Sequence, residues 1–163
     1  MKNKLVMLLV AFVIASCKQA PDNSAQFQSK INEVQKKLDE SYKPGLSDIM
    51  SALQKHHSKL YFAGENNNWK LAEYEIKKIM GSLEDISKYC ADREESKLVD
   101  MLQAPIGNIS KAITEKNTIS FKTGYELLTN TCNNCHRTAN HGFILAKIPG
   151  ASPFSNQEFK SNE

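Results

Sequence analysis

Apolar residues recur at steps of three and four along most of the chain, the period of helices that each bury one face. The first run, Phe27, Ile31, Val34, Leu38 and Tyr42, describes an amphipathic helix or a helical extension of the next one. Lys43-Pro44-Gly45 interrupts it, and Pro44 suits the first position of a new helix. That helix is predicted from about Pro44 to Phe62, with Leu46, Ile49/Met50, Leu53, His57 and Leu60/Tyr61 on one side and Ala63-Gly64 ending it. Beyond the polar turn at residues 65–68, a second helix from Trp69 to about Tyr89 buries Leu71/Ala72, Ile76, Ile79/Met80, Leu83 and Ile86/Tyr89. A third, from about Arg93 to Glu115, follows Leu98, Met101/Leu102, Ile106, Ile109 and Ile113, and Pro105 and Gly107 predict a kink within it. The fourth begins between Thr118 and Ser120 and carries Phe121, Tyr125, Leu128, Cys132 and Cys135 at steps of four, three, four and three. No stretch alternates with the period of a strand, so the fold class is all-α. Long helices joined by short polar turns make an up-down-up-down four-helix bundle the expected architecture, with an extra N-terminal helix and an irregular tail over residues 140–163.

The N-terminus reads differently. Lys2 and Lys4 precede an apolar run of eleven residues, Leu5 to Ala15, then Ser16 and Cys17. This is the layout of a secretory signal, and the run is shorter than the ~20 residues a bilayer span needs. Ile14-Ala15-Ser16-Cys17 resembles the lipobox of bacterial lipoproteins, which implies a signal peptide over residues 1–16 and a lipid on Cys17. Residues 17–26, polar and with Pro21, suit a tether, leaving residues 27–163 for a single domain. The chain has 21 Lys and Arg against 18 Asp and Glu. Loss of residues 1–16 removes two lysines and no acid, so the exported chain is nearly neutral and nothing points to nucleic acid.

The chemistry is concentrated in Cys132-Asn133-Asn134-Cys135-His136. Two thiols three positions apart can add to the two vinyl groups of one porphyrin, and a histidine directly after the second can reach the iron, so the pattern specifies attachment of c-type haem. Both thiols continue the buried stripe of the fourth helix, with His136 on the same side. Zinc knuckles normally carry their thiols on turns, although a non-haem metal or redox use of the Cys-x-x-Cys pair stays open. Export agrees with haem, because c-type haem is attached outside the bacterial cytoplasm. No catalytic constellation is present: there is no nucleophile with its base and no phosphate-binding glycine loop, so no enzyme activity is expected.

Taken together, these residues resemble the class II c-type cytochromes, the cytochrome c-prime group and its low-spin relatives, which are exported four-helix bundles with the haem motif near the C-terminus. The resemblance is architectural over residues 44–137 and rests on the motif at residues 132–136. The segments His57 to Gly64, Asn68 to Glu75 and Pro153 to Gln157 also look like a family of small secreted bacterial haem-motif proteins. Class I cytochromes differ in layout: their motif opens the domain and a methionine ligand follows, whereas only 27 residues follow His136 here and none is Met. The resemblance implies one covalent haem c on Cys132 and Cys135, with His136 as proximal iron ligand.

For the other face of the iron, helix rise ranks the candidates. Met50 lies about 9 Å from the end of its helix that should neighbour His136, Met101 sits at a similar height in the third helix, Met80 is higher, and His56 and His57 lie about 20 Å away. Met50 is the first choice as distal ligand, with ordinary core packing or an open iron as the alternatives. His57 is expected to pack near Trp69, His56 to be solvated and His141 to lie on the surface. Cys90 is expected as a small buried residue. The apolar tail Phe143 to Pro149, with Pro153-Phe154, is expected to fold back over a haem edge or the bundle end. Three functions compete: a membrane-tethered one-electron carrier serving redox partner proteins, a haem protein binding nitric oxide or carbon monoxide at an open distal site, and the non-haem thiol protein. A homodimer is compatible with each.

Overall fold

The computed structural model describes residues 23–41 and 43–161, and these are helical or irregular, with no strand among them. The helices are α1 (Ser24–Ser41), α2 (Leu46–Glu65), α3 (Trp69–Tyr89), α4 (Gln103–Thr114) and α5 (Thr118–Thr138), with a 3-10 segment at Glu94–Leu102. None of the helices among the described residues is long and apolar enough to cross a membrane. The signal peptide, Cys17 and Tyr42 lie outside the described residues.

The chain divides after Lys43 into two units. In the first, α1 starts at Ser24, three residues inside the stretch expected as tether, where the Asn23 carbonyl accepts the Phe27 N–H at 2.9 Å. None of the residues of α1 is buried. Its polar faces are laced by pairs four residues apart, such as Lys37 with Glu33 at 2.7 Å, each contributing a few tenths of a kcal/mol at most.

In the second unit α2 packs on α3, α3 on α4, α4 on α5, and α5 on α2. Helix starts are set by side chains at the turns: Asp48 accepts the Gly45 N–H at 3.2 Å, Asn68 the Leu71 N–H at 3.1 Å, and Asn117 the Ser120 N–H at 3.0 Å. Asn67 and Lys116 take the left-handed conformation that reverses the chain, at φ 54° and 51°. The expected stripes bury Ile49, Leu53, Leu60, Ile76, Ile79, Leu83, Ile86, Leu102, Ile106, Ile109 and Ile113. Met80 and Met101, expected inside, are exposed, and Glu75 takes a buried place on the inner side of α3.

Two boundaries differ from expectation. The single helix predicted from Arg93 to Glu115 is a 3-10 segment followed by α4, and the change falls at Leu102, three residues before Pro105. Pro105 has no N–H for the carbonyl four residues back and its ring crowds that carbonyl, so the α-helix restarts with Pro105 in its first turn, where a missing donor costs nothing. Gly64 does not end its helix; α2 continues to Glu65. A Cβ at Gly64 would fall 2.0 Å from the Phe121 ring, so the glycine lets α5 approach α2. Along the same contact Glu65 meets Lys122 at 3.1 Å, Asn67 meets Thr118 at 2.8 Å and His57 meets Tyr125 at 2.9 Å. Numbers fall along α2 as they rise along α5, so the two helices are antiparallel, and α2 from about Met50 lies level with Cys132 to His136.

Gly64→Ala is expected to destabilise the protein by about 1–3 kcal/mol through overpacking against Phe121. Gly107→Ala, where nothing lies within 4 Å of the added carbon, should stabilise by about 0.5–1 kcal/mol. Midpoints of urea unfolding for the two variants check the opposite signs.

Candidate functional site

The inner stripe of α5 is as expected: Phe121, Tyr125, Leu128, Cys132 and Cys135 are all buried. Both motif cysteines are free thiols. Burial away from water pushes the Cys132 thiol up to about 12, with a smaller contribution from Cys135, and burial also raises Cys135. The pair sits in the last two turns of α5, where the negative end of the helix dipole adds to the cost of a thiolate. These are neutral S–H groups on one helical face, unlike redox Cys-x-x-Cys pairs, whose thiolates are stabilised at helix N-termini or by cationic neighbours.

His136 follows one residue on and is half-buried. Its Nδ1 lies 2.8 Å from the Ile144 carbonyl oxygen. A carbonyl can only accept, so Nδ1 carries a proton, and in the neutral form of the ring the lone pair is on Nε2. The tail reaches this position because α5 ends in a left-handed residue, Asn140 at φ 59°, and the His136 carbonyl accepts the His141 N–H at 2.7 Å. Asn133, between the two cysteines, then clamps Ala146 from both sides: its Nδ2 donates to the Ala146 carbonyl at 2.9 Å and its Oδ1 accepts the Ala146 N–H at 2.8 Å. The backbone of residues 144–146 is thereby fixed beside the motif, while Phe143 and Leu145 remain 81% and 67% exposed.

The tail does fold back, and it extends further than a cap on one end. Phe159 is buried 5.4 Å from the Phe62 ring, its carbonyl accepts from Asn68 at 3.2 Å, and Lys59 lies over Phe154. Those contacts are at the opposite end of α2 from Met50, so residues 144–159 run the length of the α2/α5 pair.

The other candidates separate clearly. Of the methionines at positions 50, 80 and 101, Met50 packs against the core, while the other two are exposed. His57 does not pair with Trp69, which instead packs on Phe121. Its Nδ1 lies 2.9 Å from the Tyr125 hydroxyl, its Nε2 lies 3.0 Å from the Thr129 hydroxyl, and the ring stacks on Tyr125 at 4.5 Å. Both ring nitrogens are committed one turn before Cys132, which removes His57 from the list of iron ligands. His56 is not solvated: Nδ1 meets Oε2 of the buried Glu75 at 2.6 Å, tying α2 to α3. His141 is partly exposed, with Nε2 3.7 Å from Glu95, and Cys90 is buried near the Pro44 carbonyl as a small core residue.

The sequence carried partial signs of what it did not assign. Glu75 and Thr129 interrupt apolar stripes at inward positions, and a polar residue there demands a partner. Nothing in the sequence names the Ile144 carbonyl, because backbone acceptors are anonymous until the chain folds. A surface cleft of about 460 Å³ between α3 and the 3-10/α4 arm is lined by Met80, Leu83, Val99 and Ile106, and no motif residue lines it.

In chemical terms the donor set is two thiols and one imidazole nitrogen on one helical face. Among the described residues no three His, Cys, Asp or Glu side chains group to hold a metal ion, whereas a closed zinc site needs four ligands. No family model matches the chain, and neither does any curated protein or solved structure.

Burial lowers the His57 imidazole from 6.5 to about 4. Between those values the unfolded chain binds a proton that the folded chain refuses, so stability rises with pH through this window. Acidification from pH 6.5 to 4 is expected to remove about 3 kcal/mol through this group. The difference between wild type and His57→Gln in chemical denaturation across that range should show the slope, and identical pH profiles would count against it.

Proposed function

We propose that the chain is an exported c-type cytochrome, tethered to a membrane by a lipid on Cys17 and carrying one covalent haem for one-electron transfer. The observation that carries this reading is the hydrogen bond from His136 Nδ1 to the Ile144 carbonyl. In the neutral ring it leaves the lone pair on Nε2, and this ring directly follows the second of two thiols in the chain. A metal-bound histidine ordinarily donates its second N–H to a carbonyl or carboxylate in this way, which sets the tautomer and raises ligand basicity. Cys132 and Cys135 would hold the macrocycle through two thioethers and His136 would bind iron through Nε2. When bound, haem supplies reversible one-electron chemistry at iron.

The rest of the chain supports that role through ordinary physical chemistry. The low-polarity core around the thiols disfavours added charge, so it would influence the potential. Phe143 and Leu145, exposed on either side of the Ile144 carbonyl that meets His136, offer apolar surface for a macrocycle edge. Met50 is the sulfur placed level with His136, and we assign it as the distal ligand. The cyclic packing of α2, α3, α4 and α5 with antiparallel α2 and α5 suits an up-down-up-down four-helix bundle of the class II type. The thiol-redox reading is weakened by neutral, buried sulfurs at a helix C-terminus.

Expression of the full chain in a host with a haem-attachment system should give a band that stains for haem after denaturing electrophoresis, and Cys132→Ser with Cys135→Ser should abolish it. An unstained wild-type band would sink the proposal. Carbon monoxide should leave the reduced wild-type spectrum unchanged and alter that of Met50→Ala. Carbon monoxide binding to the wild type would instead support the gas-binding function.

A further inference from the structure

The stripe on α1 is a second feature that asks for a partner. Phe27, Ile31, Val34 and Leu38 are 64%, 58%, 65% and 58% exposed. Most helical stability in proteins comes from packing an amphipathic face, and this helix exposes all its large apolar groups. The steps of four, three and four are those of alternating d and a positions in a heptad, with Phe27 and Val34 at d and Ile31 and Leu38 at a. The stripe is one residue wide, the width of a coiled-coil seam and not of a broader face packed into a globular core.

The flanking charges decide between occupants. A helix lying in a bilayer surface carries a polar face rich in Lys and Arg. In α1, Lys30, Lys36 and Lys37 are balanced by Glu33, Asp39 and Glu40. Beside the seam stand Gln28 and Gln35 at e and Lys30 and Lys37 at g. In a parallel in-register pair, Lys30 of one chain faces Gln35 of the other, with no like charges opposed. In an antiparallel pair, g faces g and Lys30 meets Lys37 across the seam.

We infer that α1 is a self-association element, forming a parallel coiled coil with α1 of a second copy of this chain. The inference stands independently of haem. A lipid on Cys17 would favour it, because two chains anchored in one leaflet begin their helices side by side and at high effective concentration.

The test places single cysteines in the full chain in its own membrane, with the unaltered chain as background for the native thiols. Under mild oxidation, Phe27→Cys and Leu38→Cys should each give a covalent dimer as the major band on a non-reducing gel. Lys36→Cys, on the outer f position, should stay at background. A dimer formed only when Phe27→Cys and Leu38→Cys chains are mixed would overturn the parallel arrangement. No dimer from either, with both thiols shielded from a water-soluble maleimide, would overturn self-association in favour of burial in lipid. Equal cross-linking at all three positions would reduce it to random collision. The Ile31→Asp/Leu38→Asp double variant, in detergent sedimentation, should fall from the mass of two chains to that of one while keeping the helical signal of α2 to α5. An unchanged mass would overturn the seam. Covalent haem staining on the same gels reports the haem reading separately.

Discussion

The close approach of α5 to α2 is the contact on which the rest depends. Gly64 gives up its side chain so that Phe121 can fill the space, and Tyr125 stacks on His57 farther along. Below them the Thr129 hydroxyl meets the other His57 ring nitrogen. Apolar packing alone tolerates sliding by one turn, whereas a hydrogen-bonded triad buried in low dielectric leaves unpaired groups if the register slips. The triad therefore specifies the register, and the register sets Cys132, Cys135 and His136 opposite the Met50 end of α2.

A second constraint acts across the motif itself. Asn133 lies between the cysteines, and its side chain accepts and donates at Ala146. The clamp brings the Ile144 carbonyl within 2.8 Å of His136. One asparagine thus couples a tail of irregular backbone to the orientation of an imidazole on the helix. The far end of the tail is held by Phe159, buried near Phe62. Irregular backbone is retained here because its groups at Ile144, Ala146 and Phe159 have partners and the Phe159 side chain is buried.

The two halves of the chain use helix periodicity for different ends. In α2 to α5 the apolar stripes are spent on one another, and two histidines secure the junctions, His57 toward α5 and His56 toward α3 through Glu75. In α1 a narrow stripe is left uncovered. Sequence spacing treats the two cases alike, but exposure separates them, and the proposed coiled coil follows from that separation.

The sequence by itself determined the helices, because a period near 3.6 is a local property: α3 and α5 span nearly the residues that spacing and turn chemistry predict, and the stripe through Phe121, Tyr125, Leu128, Cys132 and Cys135 is buried as read. It also places two thiols and an imidazole within five consecutive residues, at Cys132, Cys135 and His136. Only the tertiary structure decided which polar groups share the interior. His56 and Glu75 are 19 residues apart, and His57 and Thr129 are 72 apart. Such pairs follow from the register between helices, which no local period encodes. The same holds for Gly64, which resembles a terminator until Phe121 is seen against it, and for Ile144, whose contribution is a carbonyl that every residue possesses. What the tertiary structure adds at the motif is a tautomer: packing of the tail puts a proton on Nδ1 of His136, so that the lone pair of the neutral ring is on Nε2.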